Sequence, residues 1–308
     1  MIEGQEDVTW PQWVSIAQAC EQHGVGTLFR SDHYLSVEGH DERGSLETWT
    51  TLAGLAAVTT RLRLGVLVSP ATFRHPSVLA KTVTAIDHIS GGRVELGLGA
   101  GWHESEHSAF GFAFPPLGER MEMLEEQLAV VRGAWADGPF SFDGKHYRLD
   151  SVDVLPKPVQ RPHPPLIIGG GAKPRTARMA ARFADEYNTV YATPAECAER
   201  RAVCERAWED AGRDPATLTF SVMVPWLMGS DAADLAQRAE RLAAWQGSEP
   251  AALIEEFGQV GVAGTLAEAT DRLGAYREAG VDRIMLQHLL HDDLDAIALL
   301  PRLAAAVG

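Results

Sequence analysis

The stretch VELGLGAGWHESEH, Val94 to His107, starts as an apolar run, passes through Gly97, Gly99 and Gly101, and ends in two histidines four apart. Its last five residues, His103-Glu104-Ser105-Glu106-His107, match H-E-x-x-H. That spacing puts two imidazoles on one helix face, where they can share a Zn²⁺ with the glutamate as general base. A zinc helix also needs apolar preceding turns and a third ligand downstream. Here the motif directly follows Gly99-Ala100-Gly101, and no Gly-x-x-His appears at the expected spacing. The match is therefore read as chance, and no metal is expected. What remains is a strand, a glycine turn and the start of a helix.

Outward from this unit the same grammar repeats. Apolar β-rich runs at Thr27–His33, Leu62–Ser69, Pro165–Gly169, Glu186–Tyr191, Leu218–Met228 and Arg283–His288 alternate with helical stretches. The helical stretches are 45–61, with Ser45 as N-cap and Glu47 in the first turn, then 76–90, 117–136, 174–184, 194–211, 232–245 and 294–306. Strands separated by helices imply parallel βαβ units. About eight such units predict an α/β fold of the (β/α)8 TIM-barrel type, as one domain over residues 1–308. Two segments interrupt the repeat: a proline-rich insertion at about 137–164, expected to form a short hairpin and an extended crossing, and one at about 248–264, expected to add a helix. The first strand is truncated: only Met1-Ile2-Glu3 precede the helix at 10–23, and the recorded start is expected to lie inside a longer coding sequence.

Composition narrows the class. A chain of 308 residues, 45% hydrophobic, can bury a large core. A net charge of −15 argues against nucleic acid or an anionic membrane as partner. No apolar run is long enough to span a bilayer, and the acidic start MIEGQEDVTW is unlike a signal peptide. Cys20, Cys197 and Cys204 form no C-x-x-C, and the last two stand two helical turns apart, too far for a disulfide. A reduced, cytoplasmic protein is expected, assembled as a homodimer.

In such barrels chemistry sits at the carboxyl ends of strands. Those ends here are Ser31-Asp32-His33-Tyr34, Val68-Ser69-Pro70, Gly99–Trp102, Gly169-Gly170-Gly171, Asn188-Thr189, Pro225-Trp226 and Gln287-His288. Two are glycine-rich and run toward helices, which suits a phosphate or polyol chain, with Lys173 and Arg175 just after the second. Tight packing is the competing explanation of such glycines. Adjacent ionisable residues at a strand end, Asp32-His33, are costly to bury unless paired or used. A structural histidine is the plain alternative.

The segments RSDHY, TFRHP, ISGGRVELGLGAGW, FPPLGERMEMLEE, PKPVQRPHPPLIIGGG and RMAARFAD, in that order, resemble the luciferase-like monooxygenase superfamily, in its branch using the deazaflavin coenzyme F420. The resemblance runs from about Trp10 to the last helix. It implies a (β/α)8 barrel with the cofactor ring near the barrel axis. It further implies that Asp32 and His33 face the ring, and that Val66–Ser69, with Val68 and Ser69 at the ring, carries a non-prolyl cis peptide. Ala100, Gly101 and Trp102 would line the ring and its side chain, and Gly169, Gly170 and Gly171 the phosphate side. Glu3 would match an acidic residue ending the first strand. Two positions depart from the sugar-phosphate dehydrogenases of this branch: Val37 stands near their Trp after Asp-His, and Trp102 where they carry Glu. Glucose 6-phosphate is therefore not implied.

The function expected is hydride transfer between F420 and a small organic substrate, with His33 exchanging the substrate proton and Asp32 orienting it. The alternatives are an FMN-dependent monooxygenase and a non-catalytic flavin-binding protein.

Overall fold

The computed structural model describes Met1–His40 and Glu42–Val307. In chain order the elements are α1 (Trp10–Gln22), β1 (Thr27–Arg30), α2 (Thr48–Val58), β2 (Arg63–Pro70), α3 (Pro76–Ser90), β3 (Val94–Gly99), α4 (Glu104–Phe110) and α5 (Leu117–Trp135). Then follow β4 (Phe140–Asp143), β5 (Arg148–Val152), β6 (Leu166–Gly169), α6 (Pro174–Phe183), β7 (Glu186–Val190), α7 (Pro194–Asp210) and β8 (Thr219–Gly229). The chain continues through α8 (Ala232–Gln246), α9 (Pro250–Val260), β9 (Val262–Thr265), α10 (Leu266–Glu278), β10 (Arg283–Gln287) and α11 (Leu294–Val307).

The parallel strands pair in the order β1-β2-β3-β6-β7-β8-β10, an α/β barrel wall. Its two ends meet across the short first strand. Ile2 N donates to the Phe29 carbonyl at 2.9 Å, and Ser31 N donates to that of Ile2 at 3.2 Å. On the other side the Met1 nitrogen donates to the Leu286 carbonyl at 2.9 Å, and His288 N to that of Met1 at 2.9 Å. Two residues thus supply the hydrogen bonds that an eighth strand must make to both neighbours. The expectation of a much-shortened first strand agrees with this pairing.

Inside the barrel Met1, Phe29, Leu67, Ile167, Met223 and Met285 form one apolar plug. The larger core lies between wall and helices, where Trp13, Trp49, Trp135 and Trp208 are almost fully buried. At the amino ends of the strands the barrel is closed by charge. Arg283 reaches Glu95 at 2.8 Å and Glu186 at 3.0 Å, while Arg63 takes the other oxygen of Glu95 at 2.6 Å. That network fills the barrel interior at the amino ends of the strands.

Helix signals in the sequence account for most boundaries. Pro76 opens α3 and Gly91, left-handed at φ 66°, ends it. Thr193 and Glu196 form a capping box at α7. Two details differ from the sequence reading. The cap of α2 is Glu47, whose carboxylate accepts from Thr50 N at 2.6 Å, while the hydroxyl of Ser45 turns away to the His33 carbonyl at 2.7 Å. Pro225-Trp226 is no strand end: β8 runs on to Gly229 and pairs there with β9. The antiparallel hairpin β4–β5 occupies the first insertion and α9 the second. Helix α10, opened by a Thr265–Glu268 capping box, was not anticipated. The three cysteines are buried and free.

Candidate functional site

The floor of the site is made by a bulge in β2. The Leu67–Val68 peptide is cis, and the pairing of β2 with β3 shifts register between Val66 and Ser69. The bulge throws Val68 toward the neighbouring strands, and the glycines there leave it room. A Cβ on Gly99 would lie 2.6 Å from Val68 Cγ2, and one on Gly169 3.2 Å from its Cγ1. On Gly97 a Cβ would meet the Val66 carbonyl oxygen at 2.3 Å. Close packing around the bulge accounts for these three glycines.

Above the bulge, His33 points into a cavity while Asp32 points away from it. Consecutive side chains at a strand end face opposite sides, so the two cannot pair. Asp32, buried, is gripped by Arg74 at 2.5 and 3.1 Å and accepts from the Ser69 hydroxyl. Arg74 in turn donates to Glu47 at 2.6 Å and to the Tyr34 hydroxyl at 3.1 Å. These charges hold its guanidinium firmly protonated despite burial. The expectation that Asp32 orients His33 is corrected accordingly: Asp32 ties the ends of β1 and β2 together through Arg74 and Ser69.

The partner of His33 is Glu106, from the first turn of α4. His33 Nδ1 lies 3.0 Å from Glu106 Oε2, and the other carboxylate oxygen accepts the backbone amides of Tyr34 and Leu35, the latter at 3.1 Å. Burial opposes the imidazolium, but the Glu106 carboxylate outweighs it and raises the His33 pKa above its usual value. Burial likewise opposes the Glu106 anion, yet His33 and the two amides hold it below the ordinary carboxylate range. Among the described residues no hydrogen bond reaches His33 Nε2, so that nitrogen is the one available to a ligand.

The other members of H-E-x-x-H have local duties. His107 is buried, with Nε2 2.6 Å from the Thr72 hydroxyl and Nδ1 2.7 Å from the His103 carbonyl. His103 packs edge-on against His33 and at a tilt against Trp102.

The cavity, roughly 480 Å³, opens at the carboxyl ends of the strands and falls within the range for small-ligand sites. Leu67, Val68, Pro70, Ala100 and Met223 give it apolar walls. Trp102, 63% exposed, stands at its mouth with its ring centroid 5.6 Å from that of His33. Polar groups on the wall are Glu3, Ser31, His33, Glu38, Asn188, Tyr191 and Gln287. Glu3 accepts from Gln287 and Gln5, both at 2.8 Å, and Gln287 accepts from the Tyr191 hydroxyl at 3.1 Å. Asn188 donates to Ser221 at 2.8 Å, but its buried Oδ1 has no partner.

Of the residues named from sequence, the structure brings His33, Val68, Ala100, Gly101, Trp102, Gly169 and Gly170 to one cavity, together with Glu3. Asp32 and Ser69 lie behind its wall, joined to each other. Gly171, Lys173 and Arg175 are exposed at the start of α6, outside it. Sequence reasoning missed Glu106, Glu38, Tyr191 and Met223. A signal existed for Glu106 alone, as an acidic residue in the first turn of a helix that follows a strand-end glycine.

Comparison with known proteins gives the wider setting. The family model described as luciferase-like monooxygenase matches residues 2–283. The F420-dependent hydroxymycolic acid dehydrogenase of Mycobacterium tuberculosis is 31% identical over 237 residues, covering 76% of this chain and 63% of that protein. The FMNH(2)-dependent dimethylsulfone monooxygenase of Pseudomonas putida is 33% identical over 175 residues, 56% of this chain and 47% of that protein. Among solved structures, an F420-dependent secondary alcohol dehydrogenase in complex with an F420-acetone adduct superposes with a TM-score of 0.84 at 22% identity, covering 100% of this chain and 98% of that one. At that identity the likeness speaks for the fold alone.

Proposed function

Because the chain belongs to the luciferase-like monooxygenase family, we propose that it is an F420-dependent oxidoreductase that moves a hydride between the deazaflavin and a small organic substrate. The observation that carries the proposal is the His33–Glu106 pair on the cavity wall, a proton-exchanging group held ready beside an apolar pocket. The cavity fits a ring system. Its walls at Leu67, Val68, Ala100 and Met223 are apolar, and the unpartnered Oδ1 of Asn188 asks for a donor such as a ring N–H. In this reading Val68, Ala100, Gly101, Trp102, Gly169 and Gly170 hold the ring. Asp32 and Ser69 fix the strand ends beneath it, and Gly171 faces the phosphate side.

Bound there, the deazaflavin supplies hydride transfer and no proton. His33 supplies the proton: Glu106 fixes Nδ1 and the tautomer, so that Nε2 gives or takes the substrate proton. The closed amino end of the barrel and the apolar plug exclude water from below, which keeps the reaction in a low-dielectric pocket.

The second reading, an FMN-dependent monooxygenase, is favoured by the similarity to the dimethylsulfone enzyme. Fluorescence titration separates them. The F420 reading expects binding at micromolar or tighter affinity and weaker FMN binding. Tighter FMN binding with O₂-dependent turnover would transfer the assignment to the monooxygenase, and tight binding without any turnover would leave a storage protein.

A further inference from the structure

We propose that Tyr191 sets substrate specificity, selecting a flat aromatic body over an aliphatic one of similar size. This rests on the reading of the cavity as the place where substrate and cofactor meet. With the short first strand counted, β1 and β7 stand four strands apart in a ring of eight, on opposite sides of the barrel. His33 follows the one and Tyr191 the other, and both line the same cavity. A substrate that offers its reacting end to His33 Nε2 therefore turns its body toward Tyr191. That residue is 47% exposed, and no aromatic ring packs on it among the described residues. A large ring is thus left bare on a cavity wall, where apolar surface of this kind marks a ligand contact.

The ring is held in place from behind. Tyr191 adopts a left-handed backbone, φ 48°, uncommon for a bulky residue and kept only where the surroundings enforce it. Its amide donates to the Met223 carbonyl at 2.9 Å, and its hydroxyl donates to Gln287 Oε1 at 3.1 Å. Gln287 turns its amide nitrogen to Glu3 at 2.8 Å, so the oxygen facing Tyr191 can only accept. Glu3 takes its second hydrogen bond from Gln5 at 2.8 Å, and Gln5 accepts from the Ser31 hydroxyl at 2.5 Å. Glu3, Gln5, Ser31 and Gln287 are all buried, so the tyrosine is anchored from inside the fold. Its phenolic proton is thereby committed to Gln287, and burial pushes the phenol up to about 12, so Tyr191 is no rival to His33 as proton donor. What it offers a ligand is a fixed aromatic face. Val37 and Val190, β-branched and stiff, line the cavity with it. An aromatic pair gains attraction beyond the area it buries, whereas a puckered aliphatic ring gains the area alone.

The experiment is a calorimetric titration of the full chain with acetophenone and cyclohexyl methyl ketone, with and without F420. The two probes share an uncharged acetyl head and differ in whether the ring is flat. Acetophenone is expected to bind about 3- to 10-fold tighter. Tyr191→Leu and Tyr191→Gly, the latter suited to the left-handed backbone, are each expected to remove that preference and leave F420 affinity unchanged. Gln287→Leu keeps the ring but removes its tether, and is expected to reduce the preference without abolishing it. Equal binding of the two ketones, tighter binding of the aliphatic one, or no binding of either overturns the inference. So does a preference that survives both Tyr191 variants or is untouched by Gln287→Leu. Failure of F420 to bind while acetophenone keeps its advantage strikes the cofactor reading instead, so the two failures are distinct.

Discussion

At the scale of the residue, the site turns on one imidazole with two different nitrogens. Nδ1 of His33 is committed to Glu106, and Nε2 is left for the substrate. If His33 exchanges the proton, His33→Ala lowers turnover by roughly two to four orders of magnitude and leaves F420 affinity nearly unchanged. Intact turnover in a less stable protein would instead mark it as a packing residue. Glu106 raises the His33 pKa, so Glu106→Gln should move the His33 inflection in the pH–rate profile toward lower pH. The sign follows from the direction of reaction. When His33 donates, rate falls as pH rises through its pKa; when it accepts, rate falls as pH drops through it. In either case the variant shifts the inflection downward, and an unmoved profile would show that Glu106 does not set it.

At the scale of the element, the decisive feature is the bulge of β2 and the glycines that make way for it. A Cβ on Gly99 meets the end of a side chain, Val68 Cγ2, whereas one on Gly97 meets backbone at the Val66 carbonyl. Gly99→Ala should therefore cost about 1–3 kcal/mol, relieved by a second change Val68→Ala, while the cost of Gly97→Ala persists in the same background. Thermal or denaturant unfolding of the four variants decides it, and equal rescue of both would contradict the packing account. The alternation of strands and helices was legible in the sequence because hydrophobic period and caps are local properties. Asp32–His33 was not legible as a pair of separate duties: adjacency suggested a partnership, but the strand turns the two side chains apart. The actual partner of His33 is 73 residues away, so only the folded barrel brings Glu106 to it. The glycines were ambiguous for the same reason, since the sequence cannot show that Val68 stands over them.

At the scale of the whole molecule, the barrel is sealed by charge at one end and by a short strand at the other side of the wall, and both leave buried titratable groups. After β10 the chain buries His288 and His291, whose rings pack on Trp226 of β8 and Trp245 of α8. Burial lowers His288 to about 3, with His291 and the amino terminus adding to it, and lowers His291 to about 4 against the opposing pull of the Glu3, Glu6 and Asp292 carboxylates. Both are therefore neutral in the fold across the pH range in which they would charge in the unfolded chain, near 6.5. As pH falls below that value the unfolded chain takes up protons that the fold refuses, so stability drops progressively until about pH 4 for His291 and about pH 3 for His288. His33, with a raised pKa, works in the other sense: it lends stability below its unfolded pKa, and that contribution is lost as pH rises through its folded pKa. Two losses against one gain predict a net decline on acidification, on the order of 1 kcal/mol per pH unit for each buried histidine. His291 is the cleaner probe, because its Nε2 has no partner to lose. His291→Phe should flatten the fall in unfolding free energy between pH 6.5 and 4.5 by about one histidine's share, with little change at pH 8. Denaturant unfolding across that range measures it, and a slope identical to that of the parent protein would mean that His291 is not buried in its neutral form.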